Sequence, residues 1–556
     1  MRNYQPVSTQ MTQIKQIFAD FFYLRKSVKS ALSACQKTVM YYNFCALKYM
    51  NQCVTLIILL LFFGFSANGQ TPQEKYDAFR RQTQKEFGEF LKQNWQEYED
   101  FRKQAQKEFG EFLKQSWQEF ELMQGELFPA MPEPVMPQIA EPEIFNEMVR
   151  VDVETGRAPS QWQTGQQQTM TVETRHATSL QQQTWHAPSL QPNDNDVSVL
   201  FFGSSLTLPF DRKFAIKLRS TKETDVGDFW IKLADADFLH LINVCKELKD
   251  ELCLNDWGYY RLIRELAQRI YPARGMDNER TVFTAFILDE TGYDVRMARN
   301  VENSQLVLLS VFESKLYDTP SIEVSGKRYY IPEKSNKGNR IASYRPYAKE
   351  EKRRIDLKID RPLKLKDHPG TFEISANVIG KPLKITYNRN AIDFYNTIPV
   401  TDLEVYFNSR GSVTVQQSFE EVLKPVIGAM SEKDAAATLL QLMHHAFEYK
   451  TDKEQFGFER PFFFEELFSY PYNNCKDRSV LYAYLIRHLV GLQVVGLKYP
   501  GHVATAVRFN ERVNGHYISI GADPYIICDP TYINAAIGQC MANYVKVKAE
   551  PLFIHH

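Results

Sequence analysis

Residues 473–492 read NNCKDRSVLYAYLIRHLVGL, residues 497–507 read LKYPGHVATAV, and residues 525–532 read YIICDPTY. These segments predict a helix that opens at Cys475, a strand headed by His502, and a second strand that ends at Asp529. A thiol, an imidazole and a carboxylate, each on its own element, are the groups that nucleophilic acyl chemistry requires. We therefore expect this stretch to organise the C-terminal fold and to carry the functional site.

The pattern around each residue assigns it a chemical role. Pro471 precedes Cys475 in an extended approach, and apolar residues recur at helical spacing after it, so the thiol is expected in the first helical turn. The backbone N–H groups and the helix dipole there favour the thiolate, which is the attacking form. His502 is the expected base, Asp529 orients its imidazole, and Pro530 keeps Asp529 extended. The Cys475 N–H is the expected oxyanion donor.

Other polar residues compete for these roles. His516 and Asp523 are alternative acid–base groups, and Asp477 is expected to cap the helix or to pair with Arg478. No second oxyanion donor is identifiable in the sequence, with Gln455 as a weak candidate. By pattern alone, a lone cysteine at a helix start is more often structural than catalytic.

Together the three segments resemble the transglutaminase-like superfamily of papain-fold cysteine enzymes. That family places its cysteine in a C-x-D segment opening a helix, its histidine at the head of a strand and its aspartate in a D-x-T segment. The resemblance spans about residues 415–545 and implies that Cys475, His502 and Asp529 are nucleophile, base and orienting group, with Asp477 the acid two residues past the cysteine. One departure is Asn474, where such proteins often carry Asp or Gly; it changes loop geometry without removing a chemical group.

Composition excludes several classes of protein. The 556-residue chain carries 66 basic and 67 acidic residues, a balance that argues against nucleic-acid binding. Eight cysteines are too few for a disulfide scaffold, and none forms a CxxC pair or a zinc-finger spacing. The sequence has neither a Gly-rich phosphate loop nor a dinucleotide fingerprint. We expect no cofactor and no metal, and a protein or peptide as the substrate.

The N-terminal 69 residues are predicted to contain a signal for export. The run VTLIILLLFFGFS at 54–66 has the length of a signal-peptide core, and Ala67 and Gly69 occupy the −3 and −1 positions for cleavage before Gln70. An uncleaved membrane anchor is the alternative. Because the run lies far from Met1, the functional start is expected at Met40 or Met50. The signal peptide then covers about residues 40–69, and the protein is periplasmic or associated with the cell envelope.

A repeat and a linker follow the signal segment. Residues 79–98 recur as 101–120 with an offset that matches helical periodicity, so residues 70–128 are predicted to form a helical repeat. The repeat is expected to act as a spacer, or in self-association or envelope attachment. Residues 129–196 are rich in Pro, Gln and Thr and are predicted to form a disordered linker.

The predicted fold class is α+β: a papain- or transglutaminase-like C-terminal domain, preceded by a mainly β middle domain with N-terminal helices. Residues 197–300 form an α/β segment, 301–410 a β-rich domain and 411–556 the catalytic domain. Adjacent His444 and His445 face different directions and cannot form an i, i+4 metal pair. The basic run 352–354 is interpreted as a solvated loop, with a polyanion site as the alternative.

A weak internal echo links two of these segments. Aligning Val282 with Val480 sets Asp277 against Cys475 and Glu279 against Asp477. We interpret residues 237–300 as a degenerate copy without the thiol, although two ordinary amphipathic segments would look similar.

The leading functional hypothesis is an exported Cys-His-Asp enzyme that cleaves or transfers an amide acyl group through a thioester, as a protease, amidase or transamidase. The alternative, from another functional class, is a catalytically silent binding or scaffold protein of the cell envelope with the same fold.

Overall fold

The protein is described by a computed structural model that covers residues 72–129, 136–153, 196–333, 340–345, 347, 352–375 and 380–554. It has mixed α+β architecture, with helices and several sheets, which confirms the predicted class at that level. Its contacts divide it into a unit ending at Trp95 and a second unit starting at Gln96. The predicted signal segment lies outside the described residues.

The described helices are given in chain order. They are α1 (Pro72–Leu113), α2 (Glu223–Leu233), α3 (Phe238–Glu251), α4 (Asp256–Ile270), α5 (Asp277–Glu290), α6 (Arg389–Tyr395), α7 (Leu403–Asn408), α8 (Val413–Val422), α9 (Lys424–Ile427), α10 (Glu432–His445), α11 (Asp452–Phe456) and α12 (Cys475–Leu485). Short 3₁₀ turns cover Arg212–Phe214 and Phe464–Phe468, and a π turn covers Ile486–Val490.

The described strands are numbered in the same way. They are β1 (Gln118–Glu121), β2 (Met148–Arg150), β3 (Asp196–Phe201), β4 (Ser204–Pro209), β5 (Val295–Asn300), β6 (Leu306–Ser310), β7 (Ser321–Val324), β8 (Lys327–Tyr330), β9 (Arg340–Ser343), β10 (Pro369–Ile374), β11 (Leu383–Asn388), β12 (Glu448–Tyr449), β13 (Tyr472–Asn473), β14 (Gln493–Tyr499), β15 (His502–Arg508), β16 (Gly515–Ile520), β17 (Asp523–Cys528) and β18 (Glu550–Leu552).

Two six-stranded sheets form the framework. The first has the order β1-β9-β5-β6-β8-β7 and is antiparallel throughout. The second has the order β18-β14-β15-β17-β16-β2 and is antiparallel except for the β16–β2 pair. A bridge between Val153 and Ala549 brings its two edges together, so this sheet is a nearly closed barrel.

The two sheets repeat one strand order. In each, the last of five successive strands lies beside the first, followed by the second, fourth and third. Each sheet also follows a helix that packs on its first two strands, α5 in one case and α12 in the other. Asp277 and Cys475, which the sequence echo aligns, are the first residues of these helices. The echo therefore extends from α5 through β9, well past residue 300.

The aligned carboxylates have matching roles, whereas the chemistry of the site is not repeated. Glu279 accepts a hydrogen bond from the Leu218 N–H at 3.1 Å, and Asp477 accepts one from the Phe462 N–H at 3.0 Å. The positions that correspond to His502 and Asp529 are the first residue of β6 and the residue after β8, and they hold the buried apolar residues Leu306 and Ile331.

The helical repeat differs from its prediction in the second copy. Helix α1 ends at Leu113, and residues 118–121 form β1, which pairs with β9. Trp95 of the first copy is 51% exposed, whereas its equivalent Trp117 is 9% exposed and packs against Tyr344. Near-identical sequences thus adopt helix in one place and strand in the other, because pairing with β9 overrides local propensity.

The predicted disordered linker of residues 129–196 is wrong for part of its length. Residues 136–153 run in extended form along the second sheet, where β2 pairs with β16 and Ile139 bridges to Ile533. Buried Val151 donates its N–H to the Tyr517 carbonyl at 2.7 Å. Residues 154–195 lie outside the described part.

The predicted domain boundaries do not separate cores. β5 lies before residue 300 and pairs directly with β6, which lies after it. One continuous set of buried side chains runs from Phe109 to Ile554. Two smaller clusters fill the faces of the two sheets that point away from this set.

Candidate functional site

Cys475 is the first residue of α12, and the residues around it fix the start of that helix. The Asn474 side chain accepts from the Lys476 N–H at 3.0 Å, and the Asp477 carboxylate accepts from the Asn474 N–H at 3.0 Å. These reciprocal bonds form a capping box. Asp477 therefore caps the helix, as predicted, and anchors Phe462 of the preceding loop with its other oxygen.

His502 is positioned by a tight hairpin. β14 ends at Tyr499 and β15 begins at His502, and these two residues form the terminal pair of the ladder. The two-residue loop contains Gly501 at φ 75°, a conformation that glycine adopts without steric cost. The imidazole is therefore held at the end of the sheet, next to the start of α12.

Asp529 follows the last residue of β17. One carboxylate oxygen accepts from the Thr531 N–H at 2.9 Å and from the Tyr532 N–H at 3.3 Å. The other oxygen lies 2.8 Å from Nε2 of His502. The backbone bonds fix the carboxylate so that it orients the imidazole.

The third member of the site lies against the same imidazole. Nε2 of His502 is taken by Asp529, and Nδ1 makes no hydrogen bond among the described residues, but the Cys475 thiol is close enough to this imidazole to act on its pKa. Burial alone would lower the pKa of His502, but the Asp529 carboxylate and the Cys475 thiol raise it to about 10. Burial opposes ionisation of Asp529, yet His502 holds its pKa below the usual range. The structure therefore favours a charged imidazole beside the thiol.

Tyr449, Arg478 and His444 also lie around the site, and the sequence did not predict this placement. The ring of Tyr449 lies 5.5 Å from the Arg478 guanidinium, and the Tyr449 side chain interacts with the Cys475 thiol. Arg478 is 1% exposed and donates to the Asn473 side chain and the Phe447 carbonyl. Its guanidinium interacts electrostatically with Tyr449, Cys475 and Asp477.

His444 is the third of these residues. Its Nε2 donates to the Asp529 carbonyl at 2.9 Å, and its Nδ1 has no hydrogen-bond partner among the described residues. Burial lowers the pKa of His444 to about 4, so this imidazole is neutral at pH 7. The only sequence signal was its place at the C-terminal end of an amphipathic helix, which does not indicate proximity to Asp529.

The site is closed in this structure. Cys475 is 1% exposed, His502 0% and Asp529 3%. Tyr544 stacks on the His502 ring with centroids 5.2 Å apart, and the Tyr499 ring lies against Tyr544, tilted by 42°, with centroids 4.8 Å apart. Chemistry on a large substrate therefore requires these aromatic side chains to move.

A cleft of about 670 Å³ lies next to the closed site. Its wall includes Lys476, which follows Cys475, and residues 499–501, which lead into His502. Phe128, Tyr317 and Leu403 also line the cleft, which therefore has both aromatic and polar surface.

A buried ion cluster supports the first turn of α12. The Lys476 ammonium lies 2.8 Å from a carboxylate oxygen of Asp452 and 2.8 Å from one of Glu459. The second oxygen of Asp452 accepts from the Asn474 amide at 2.6 Å. Burial and the charge of Asp452 raise the pKa of Asp477 to about 7.

The competing candidates occupy other positions. His516 lies on β16 with its ring nitrogen 3.1 Å from the Gly538 carbonyl, and Asp523 pairs with Arg508 at 3.1 Å. Gln455 lies in α11 one turn after Asp452, with its buried amide lacking a hydrogen-bond partner among the described residues. The structure thus joins His502 to Asp529 and to neither competitor.

The other described cysteines are buried free thiols. Burial raises the pKa of Cys245, Cys528 and Cys540 to about 12. Cys475 differs from these three because an imidazole and a guanidinium act on it.

The described part of the chain has neither a metal-binding cluster nor a membrane-spanning helix. No group of three or more His, Cys, Asp or Glu side chains there is arranged to hold a metal ion. No helix in the same residues has the length and apolar character to cross a membrane. Comparisons of the chain with protein-family models, with curated proteins and with solved structures found no match.

Proposed function

We propose that the protein is an exported, transglutaminase-like cysteine enzyme that cleaves or transfers an amide acyl group of a protein or peptide. The observation that carries this proposal is the 2.8 Å contact between Nε2 of His502 and Asp529, on an imidazole that also interacts with Cys475. A thiolate–imidazolium pair oriented by a carboxylate is the arrangement that activates a cysteine nucleophile.

The first half of the proposed reaction forms a thioester on Cys475. The Cys475 thiolate attacks the amide carbon, and the carbonyl electron pair moves to oxygen, which the Cys475 N–H in the first helical turn stabilises. When the tetrahedral intermediate collapses, the C–N bond breaks and the His502 imidazolium protonates the departing amine. This leaves a thioester and a neutral imidazole.

The second half of the reaction restores the thiol. Neutral His502 removes a proton from water or from a primary amine, which attacks the thioester carbon. The C–S bond then breaks and the thiolate leaves beside the reprotonated imidazole. Water gives a protease or amidase, and an amine gives a transamidase. The cleft beside Lys476 and Gly501 is the proposed substrate site.

A catalytically silent binding or scaffold protein is the second candidate. The burial of Cys475 and His502 favours it, because a permanently covered thiol cannot react. The helical repeat would then provide the contact for self-association or envelope attachment, through the first copy whose Trp95 is exposed.

Alkylation separates these functions. The purified full chain is treated with iodoacetamide at mildly acidic pH, and labelling of each cysteine is followed by peptide mass spectrometry. We expect Cys475 to react much faster than buried Cys528 and Cys540, and His502→Ala to slow Cys475 alone. His516→Ala is the matched control and should leave the rate unchanged. Equal, slow labelling of Cys475, Cys528 and Cys540 in wild type and in His502→Ala would contradict the enzyme proposal.

The two enzymatic outcomes need a second measurement. Incorporation of a fluorescent primary amine into a protein substrate is compared with release of ammonia in the absence of amine. Cys475→Ser should abolish both signals, and amine incorporation identifies a transamidase.

A further inference from the structure

A second cavity lies far from the site in sequence, in the half of the chain that repeats the strand order without the thiol. It has a volume of about 410 Å³ and is lined by residues of α3, the start of α4 and the segment 353–361. This volume falls within the range of small-molecule sites. The basic run at residues 352–354, interpreted from sequence as a solvated loop, contributes Arg353 to its wall.

Arg353 is held rigidly at this wall. Its backbone N–H donates to the Gly292 carbonyl at 2.8 Å, and its backbone carbonyl accepts from the Asp294 N–H at 2.7 Å. The guanidinium lies 4.1 Å from the centre of the Tyr293 ring and forms one long hydrogen bond, 3.4 Å, to the Thr291 carbonyl. It forms no ion pair among the described residues, so most of its donors are available to a ligand.

Lys246 on α3 adds a second cation. It also forms no ion pair in the described part of the chain, and the Arg353 guanidinium is close enough to act on it electrostatically. Partial burial and the charges of Arg353 and Arg102 together lower the pKa of Lys246. Two cations that repel each other at one cavity create a positive potential that an anion would relieve.

The acidic side chains of the lining do not cancel this potential. Asp250, Asp256 and Asp356 are matched by Arg361, Lys249 and Lys358, at N–O distances of 2.9, 2.6 and 3.9 Å. Asp360 is the remaining acid, so two unmatched cations face one unmatched carboxylate.

We propose that this cavity is a binding site for a small molecule that carries a phosphate or carboxylate group, held by Lys246 and Arg353. The cavity is larger than a single oxyanion, so the charged group anchors one end of the ligand. This proposal is independent of the chemistry at Cys475.

The test is isothermal titration calorimetry on the full chain at low ionic strength, with inorganic phosphate in one series and citrate in another. Saturable binding of either probe supports the site, and the probe that binds identifies the class of oxyanion. Lys246→Gln and Arg353→Gln should each weaken binding about ten- to hundredfold, the effect of removing a charged hydrogen bond.

Arg354→Gln is the matched control. Arg354 is the neighbouring residue, faces Glu313 at 3.9 Å and does not line the cavity, so its variant should bind like wild type. Circular dichroism checks that all three variants fold. The proposal is overturned if neither probe binds saturably, or if affinity is the same in wild type and all three variants.

Discussion

Nε2 of His502 lies 2.8 Å from Oδ2 of Asp529, and both side chains are almost completely buried. Asp529 is fixed by two backbone N–H groups, so the carboxylate orients the imidazole rather than following it. Removing one partner of a buried charged pair leaves the other uncompensated.

Asp529→Asn is therefore expected to slow alkylation of Cys475 strongly. The variant loses the charge that keeps His502 protonated and fixes its tautomer; in a well-studied serine protease the corresponding change reduces turnover about 10⁴-fold. Rates of iodoacetamide labelling measure the effect. Asp523 lies on β17, the strand that leads to Asp529, but it pairs with Arg508. Asp523→Asn is therefore the control, and Cys475 in this variant should react as in wild type.

The His502–Asp529 contact also predicts how stability depends on pH. The pKa of His502 is raised to about 10 in the folded state, above its value of about 6.5 in unfolded chains. The charged His502 therefore contributes fully to the free energy of unfolding below about pH 6.5, and this contribution is lost as pH rises through about 10. Urea midpoints should therefore fall between pH 7 and pH 10 in wild type and fall less in Asp529→Asn. An identical decline in both proteins would argue against a charged His502.

His444 predicts the opposite dependence on the acid side. Burial lowers its pKa to about 4, so below about pH 6.5 the unfolded chain binds a proton that the folded chain does not. Stability should fall by up to about 2–3 kcal/mol between pH 6.5 and pH 4. His444→Gln should reduce this loss while keeping a donor for the Asp529 carbonyl. The adjacent, exposed His445, changed to Gln, should leave the pH dependence as it is.

Asp452→Asn is expected to destabilise the protein by about 3 kcal/mol, because it weakens the partnership of the buried Lys476 ammonium. Glu420→Gln is the control. It breaks the exposed i, i+4 pair with Lys424 and should change the free energy of unfolding by less than about 0.5 kcal/mol. In the double variant Asp452→Asn with Lys476→Met, the loss should be smaller than the sum of the single losses, since both substitutions remove the same ion pair and only the carboxylate of Glu459 then lacks its partner. Urea denaturation provides all four values.

The two repeat copies offer a matched comparison of tryptophans. Trp117 packs against Tyr344 and donates its indole N–H to the Leu113 carbonyl at 3.0 Å, so Trp117→Ala should cost about 3–5 kcal/mol. Trp95→Ala, at the equivalent exposed position, should cost less than about 0.5 kcal/mol. Similar losses in both variants would contradict the assignment of β1 to the sheet.

Local signals in the sequence were sufficient for the elements that hold the site. The Asp477 cap, the apolar face after Cys475 and the apolar strand headed by His502 depend on residues a few positions apart, and the structure has them where the pattern places them. The start of α5 at Asp277 likewise follows the echo with Cys475.

The remaining features depend on contacts between distant segments. β1 and β2 are only four and three residues long and mostly exposed, and only pairing with β9 and β16 makes them strands. Tyr449, Arg478 and His444 reach the site through tertiary packing, which no spacing in their own segments indicates. The identity of the substrate is likewise absent from the local pattern.

Strand β2 has one further consequence. Its ladder with β16 covers the backbone of Gly515, His516 and Tyr517, which otherwise would present unpaired N–H and C=O groups along an open edge. An N-terminal truncation that begins after residue 153 would uncover that edge. Such a fragment would retain Cys475, His502 and Asp529 and would still be prone to add strands from other chains, so recombinant work on the C-terminal region should keep residues 136–153 attached.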